Sequence, residues 1–123
     1  MAVDAGLVAW VAEAMEGIGT VRSRAMMGGA TLSCDGTPFA LIANDVLWLK
    51  ADAVSDATWD AAGCPRFTAT MRGREVSMNY RRAPDDIYDD ADALRQWGRL
   101  ALEAGLRAPR KAKGRSGSPR NAP

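Results

Sequence analysis

The sequence predicts an α+β domain in which helices cover an antiparallel sheet. Two observations support this fold class: the spacing of apolar residues switches several times between helical and strand periods, and turn-forming pairs such as Asp35-Gly36 and Asn44-Asp45 separate short alternating runs. The predicted order is helix, three-stranded antiparallel meander, helix, two-stranded hairpin and helix, which packs into two layers. The chain has 123 residues, of which 47% are hydrophobic and 25% charged, as expected of one soluble domain.

The first half of the chain contains the first helix and the meander. Residues 5–19 carry apolar side chains at intervals of three and four, which is one stripe of an amphipathic helix. The stripe consists of Leu7, Trp10, Val11, Ala14, Met15 and Ile18. Alternation at 30–34, an apolar run at 39–42 and a further strand at 46–50 predict the three antiparallel strands.

The second half begins with a short helix over 55–63, which Ser55 can cap. Two alternating runs around Arg72-Gly73 then predict a hairpin that places Val76, Met78 and Tyr80 on one face. Asp90 is the predicted N-cap of the last helix, and Asp92 suits its first turn. We interpret the aspartates of 85–92 as caps, although carboxylates are also the ligands that Mg²⁺ or Ca²⁺ prefers.

Charge is distributed unevenly along the sequence. Residues 1–103 carry 10 basic and 15 acidic residues, or −5, whereas 104–123 carry six basic and no acidic residues, or +6. We predict a folded domain over 1–106 and a disordered basic tail over 107–123, because the sequence from Pro109 onward has no large apolar side chain to bury. The tail is either a solubilising end or a nucleic-acid contact made by Arg110, Lys111, Lys113 and Arg115.

Several classes of function are disfavoured by composition. The chain has no histidine, which excludes Ser-His-Asp catalysis, Cys-His catalysis and histidine zinc sites. We predict no enzyme, no cofactor and no metal site, and we expect Cys34 and Cys64 to be reduced, buried thiols. No apolar run is long enough to span a membrane, and the start lacks the pattern of a signal peptide, so we expect a cytoplasmic protein without a membrane partner.

Residues 24–29 read RAMMGG, which is an unusual group just before a strand. One interpretation is structural: Gly28 and Gly29 permit a close turn into the strand, while Met26 or Met27 fills space against the first helix. The other interpretation is functional: Arg24 and an exposed methionine form an adaptable contact for a partner.

Four further blocks complete a pattern that begins with RAMMGG. They are FALI at 39–42, LWLK at 47–50, MNYRRAP at 78–84, and the aspartate, leucine and tryptophan at 90, 94 and 97. Together these blocks, over roughly residues 3–104, resemble the N-terminal domain of the TfoX/Sxy family of bacterial competence regulators. Two positions depart from the family pattern, because Met27 replaces a phenylalanine and Trp48 replaces a tyrosine.

The resemblance implies a non-enzymatic regulatory or protein-interaction module that acts through a transcription-related partner. Regulators of this family are thought to assist a cyclic-AMP receptor protein at competence promoters. The family fold resembles the two-layer arrangement of type III secretion chaperones, which implies a homodimer. Full-length regulators continue into a second domain, and in this sequence the basic tail stands in that place.

The predicted partner-binding residues combine the family blocks with polar and aromatic groups at strand ends. They are Arg24, Met26, Met27, Gly28, Gly29, Trp48, Lys50, Tyr80 and Arg81. A second hypothesis is a small-ligand pocket or weak enzyme site formed by Tyr80, Arg81 and Asp85. A third is DNA contact through the tail alone. For a platform that stacks bases, only Trp48 and Lys50 fit the sequence pattern.

Overall fold

A computed structural model describes residues 5–26 and 29–109 of the chain. The helices in this part are α1 (Ala5–Ala14), α2 (Asp56–Ala61) and α3 (Ala91–Arg107), with a short 3₁₀ helix at Asp85–Tyr88. The strands are β1 (Val21–Met26), β2 (Gly29–Cys34), β3 (Thr37–Ala43), β4 (Val46–Lys50), β5 (Arg66–Met71) and β6 (Arg74–Arg82).

All strands of the described part form one antiparallel sheet in the order β1-β2-β3-β4-β6-β5, which confirms the α+β prediction. β1 to β4 form a meander, and the β5–β6 hairpin joins it through β6. Three residue pairs make that junction: Trp48–Arg82, Leu49–Arg81 and Lys50–Tyr80. At the three tight turns both central residues have positive φ, including Asp35 (50°) and Asn44 (53°). Turns of this kind have a backbone twist that matches the twist of the two strands they join.

The meander has one strand more than the sequence predicted. β1 pairs along its whole length with β2, from Val21 opposite Cys34 to Met26 opposite Gly29. It lies at the edge of the sheet, and its residues 22–25 are exposed. Because neither face of this segment is well covered, its sequence lacks the apolar alternation by which strands are recognised.

The helices lie on one face of the sheet and enclose the main hydrophobic core. Val11, Leu32, Leu49 and Leu94 are among its fully buried side chains. Trp59 of α2 stacks against Trp97 of α3 with ring centroids 4.7 Å apart. Cys34 and Cys64 are free and buried, as predicted, and burial raises the pKa of both thiols.

The last helix begins and ends at specific contacts. The Asp90 carboxylate accepts hydrogen bonds from the backbone N–H of Asp92 (3.0 Å) and Ala93 (3.2 Å), which confirms the predicted cap. α3 includes Arg107, one residue past the predicted domain boundary. Ser55 does not cap α2 with its side chain; its hydroxyl instead lies 3.0 Å from Oδ1 of Asp52.

Candidate functional site

The face of the sheet opposite the helices is the first candidate surface, which we call the open face. Successive residues of a strand point to opposite sides, and the registers of neighbouring strands show which residues share a side. The open face includes Arg22, Arg24, Thr31, Ser33, Leu41, Trp48, Lys50, Phe67, Arg74, Val76, Met78, Tyr80 and Arg82. The alternation predicted for β6 is confirmed here, since Val76, Met78 and Tyr80 share this face.

A continuous row of residues crosses the open face. Arg24 lies opposite Thr31, Thr31 opposite Leu41, Leu41 opposite Trp48, and Trp48 opposite Arg82. At about 4.8 Å between neighbouring strands, the two terminal arginines are about 19 Å apart along the row. Both arginines are exposed, whereas Leu41 in the middle is buried.

Three aromatic side chains lie in or beside this row. Trp48 contacts Phe67 edge to face, with ring centroids 5.0 Å apart and an interplanar angle of 75°. The Lys50 ammonium lies 5.2 Å from the centroid of the Tyr80 ring, a cation–π distance. Burial raises the pKa of the Tyr80 hydroxyl, so this side chain is neutral at physiological pH. The indole N–H of Trp48 is buried and has no acceptor among the described residues.

A notch in the sheet borders the open face at one end. β4 ends at Lys50, which pairs with Tyr80 of β6. The two neighbouring strands continue beyond this point, β3 as far as Thr37 and β6 as far as Arg74. The gap left between β3 and β6 is a cleft of about 540 Å³. Its walls are Gly36, Thr37, Pro38, Lys50, Met78, Tyr80, Gly105, Leu106, Ala108 and Pro109.

The end of α3 closes one side of the notch. Gly105 packs so closely on β3 that a Cβ at this position would lie 2.5 Å from the Pro38 carbonyl oxygen. Leu106 follows it and is 63% exposed. Arg107 binds the Asp52 carboxylate at 2.7 and 2.9 Å, and this hydrogen bond lowers the pKa of Asp52 to about 2. The contact fixes the helix end against the segment that leaves β4.

Arg81 is the centre of a buried polar cluster on the helix-covered face. Its side chain is 2% exposed and donates to Oδ1 of Asp60 (2.7 Å), to Oδ1 of Asp56 (3.0 Å) and to the Cys64 carbonyl (2.8 Å). Its Nε lies 3.3 Å from Oδ1 of Asn79. The guanidinium therefore joins α2, the loop before β5 and β6 at the junction of the sheet.

The Asp56 carboxylate receives several contacts within this cluster. Burial disfavours its ionised form, but the hydrogen bond from Asn79 and the charges of Arg66 and Arg81 outweigh that effect. The pKa of Asp56 consequently lies below its ordinary value. A buried arginine with these partners has a structural role that needs no external ligand.

The structure brings together some of the residues that the sequence singled out and separates others. Trp48, Lys50 and Tyr80 share the open face with Arg24, whereas Arg81 points to the opposite side. Asp85 lies beside a different depression, next to Pro65 and Arg82, so Tyr80, Arg81 and Asp85 do not line one pocket.

The RAMMGG segment is described in part. Met26 pairs with Gly29 across β1 and β2, and a Cβ at Gly29 would collide with the Ile42 carbonyl oxygen. Gly29 thus has a steric reason to be glycine. Met27 and Gly28 lie outside the described residues, as do Arg110, Lys111, Lys113 and Arg115 of the tail.

Sequence reasoning missed Arg82, Phe67 and Leu41 of the open face. Arg82 could have been assigned to the same face as Tyr80, because the two residues are two positions apart on one strand. The pairing of β6 with β4, which sets Arg82 beside Trp48, joins strands distant in sequence and left no local signal.

Within the described residues, no group of three or more Cys, Asp or Glu side chains is arranged to hold a metal ion. The same part of the chain contains no helix that is both long and apolar enough to cross a membrane.

Comparison with known proteins identifies the family. The family model for the TfoX N-terminal domain matches residues 13–105. Protein Sxy of Escherichia coli (strain K12) is 28% identical over 91 residues, which are 73% of this chain and 43% of that protein. The chain therefore spans less than half the length of this relative. Because the family model covers most of the sequence, including every strand of the sheet, the chain belongs to the TfoX N-terminal domain family.

Proposed function

We propose that this chain is a non-enzymatic regulatory module that acts through a transcription-related protein partner. Membership of the TfoX/Sxy family, which suggests competence-related regulation, is the observation that carries the proposal. The partner belongs to the transcription machinery or is a transcription factor such as a cyclic-AMP receptor protein, and the module acts in the cytoplasm, as a monomer or a homodimer.

The notch is the contact site that we propose for this partner. Leu106 and Pro38 are exposed at its rim, and Met78 lines its wall. An exposed leucine beside a concave apolar wall is the arrangement in which interface side chains anchor. The Arg107–Asp52 ion pair holds the helix end that carries Leu106, so the rim is ordered before a partner binds.

Replacing Leu106 by glutamate tests this proposal. In cells that lack the native gene, we expect Leu106→Glu to leave transcription from competence promoters as low as the deletion does. Val54→Glu is the matched control, because Val54 is 72% exposed and lies outside the notch. A photocrosslinker placed at position 106, but not at 54, should capture one defined transcription protein. Normal transcription in the deletion strain would overturn the proposed function, and normal transcription in the Leu106→Glu strain alone would overturn the notch as the contact site.

A small-molecule ligand is the second candidate, because the notch volume of about 540 Å³ lies within the usual range for ligand sites. Lys50 and Tyr80 would supply the polar contacts there. Under this alternative, a ligand found by screening raises the melting temperature of the parent protein but not of Lys50→Met. Ligand binding that leaves regulation unchanged would separate this candidate from the first.

A further inference from the structure

We infer that the open face binds single-stranded nucleic acid, with arginines holding backbone phosphates and aromatic rings receiving bases. This inference goes beyond the proposed function; the open face borders the notch and shares Lys50 and Tyr80 with its wall, but does not include Leu106. It rests on the separation of charge between the two faces, on the row that crosses the strands, and on the placement of the aromatic rings.

Charge is separated between the two faces of the sheet. The open face carries Arg22, Arg24, Lys50, Arg74 and Arg82, and none of these forms an ion pair with a carboxylate in the described part of the chain. Every acidic residue of the described part lies in a helix, turn or loop, except Glu75.

The remaining strand charges confirm this separation. Glu75 alternates with Arg74 and Val76 and so belongs to the helix-covered side. The two basic strand residues outside the open face, Arg66 and Arg81, are both paired with Asp56. The first 103 residues have a net charge of −5, yet one face of the sheet carries positive charges only. That face is complementary to a polyanion and repels a second copy of itself.

The geometry of the row suits an extended strand of nucleic acid. Arg24 and Arg82 lie at the two ends of a path of about 19 Å at the spacing of neighbouring strands. Thr31 and Trp48 lie between them. Pro109, the last described residue, lines the notch beside this face, and the sequence continues from it into the basic tail.

Aromatic rings provide the second half of the recognition. Tyr80 and Trp48 are partly exposed, and the group over the Tyr80 ring is the flexible Lys50 ammonium. A base can therefore reach this ring when Lys50 moves to a phosphate. Stacking on rings requires unpaired bases, whereas a duplex keeps its bases stacked inside and offers only phosphates. An acidic protein segment would use the arginines but not the rings.

The probe for this inference is a fluorescent oligothymidylate of about 20 nucleotides, bound to the full chain and followed by anisotropy between about 50 and 200 mM salt. We expect Arg24→Gln/Arg82→Gln to raise the Kd at least tenfold and to reduce the salt slope by about 0.7 for each arginine removed. Arg99→Gln is the control for the removal of an exposed arginine, because Arg99 lies on α3, away from the open face, and its loss should leave the Kd nearly unchanged.

Stacking is tested separately. Tyr80→Leu should weaken binding about tenfold without changing the salt slope, and Tyr80→Phe, which keeps the ring, should bind as the parent does. Circular dichroism and melting temperature establish that each variant is folded. Four results would each overturn the inference: no binding of the oligothymidylate, unchanged binding by the double arginine variant, a duplex that binds equally well, or displacement by polyglutamate at equal charge. Unchanged binding by the double arginine variant would assign binding to the tail, and displacement by polyglutamate would favour an acidic protein segment.

Discussion

Replacing Arg81 by methionine tests the role of the buried cluster. Methionine keeps much of the side-chain length but donates no hydrogen bond, so Asp60, Asp56 and the Cys64 carbonyl each lose a donor. The carbonyl lies in a buried contact, and an orphaned buried acceptor costs about 1–2 kcal/mol.

For the two carboxylates, losing the contact with Arg81 costs less free energy than breaking a fully buried ion pair usually does. Asp56 retains Arg66 and Asn79, so we assign about 1 kcal/mol to its lost contact. Asp60 is 67% exposed and can be hydrated, which limits its share to less than about 1 kcal/mol. We therefore expect Arg81→Met to lower the free energy of unfolding by about 2–4 kcal/mol, out of about 5–15 for a typical domain.

Urea unfolding followed by tryptophan fluorescence measures this change, because Trp59 and Trp97 lie together in the core. Asp60→Asn is the control, and it should cost less than about 1 kcal/mol. The reasoning is refuted if Arg81→Met stays within about 0.5 kcal/mol of the parent. Equal losses for Arg81→Met and Asp60→Asn would contradict it as well.

Three further predictions concern single contacts. The pKa of Asp52 is about 2 in the folded protein, below its ordinary value of 3.8. The ion pair of Asp52 therefore stabilises the fold above about pH 4, and this stabilisation is lost as the pH falls toward 2. The free energy of unfolding measured across this range should depend less on pH in Asp52→Asn than in the parent. Gly29→Ala should destabilise by about 1–3 kcal/mol because its methyl group would meet the Ile42 carbonyl, whereas Gly17→Ala, with open space around it, should change thermal stability little. Asp90→Ala should lower the free energy of unfolding by about 1 kcal/mol, since two backbone N–H groups of α3 lose their acceptor.

Local signals in the sequence were sufficient for most of the fold. Asp35-Gly36 and Asn44-Asp45 adopt the turns expected of them, and Asp90 caps the last helix. These features depend on neighbours within a few residues, which is why a single sequence reveals them. β1 escaped prediction because an edge strand with exposed side chains has no apolar alternation.

The candidate site depends on distant neighbours and was predictable only in part. Arg81 and Arg82 are adjacent and chemically identical, yet one is buried against α2 and the other is exposed on the open face. Alternation separates the two side chains, but the carboxylates that pair with Arg81 decide which side is buried. The notch depends on the point where β4 ends relative to β3 and β6, a property of register that no local pattern encodes.

The three-pair junction between β4 and β6 divides the molecule into two mechanical parts. Helices and long strand pairings hold the meander together, whereas the β5–β6 hairpin is attached through this short seam and the Arg81 contacts. Amide hydrogen exchange should therefore show the hairpin opening as its own cooperative unit, at lower free energy than the meander. Because the row from Arg24 to Arg82 crosses the seam, each such opening also takes the open face apart.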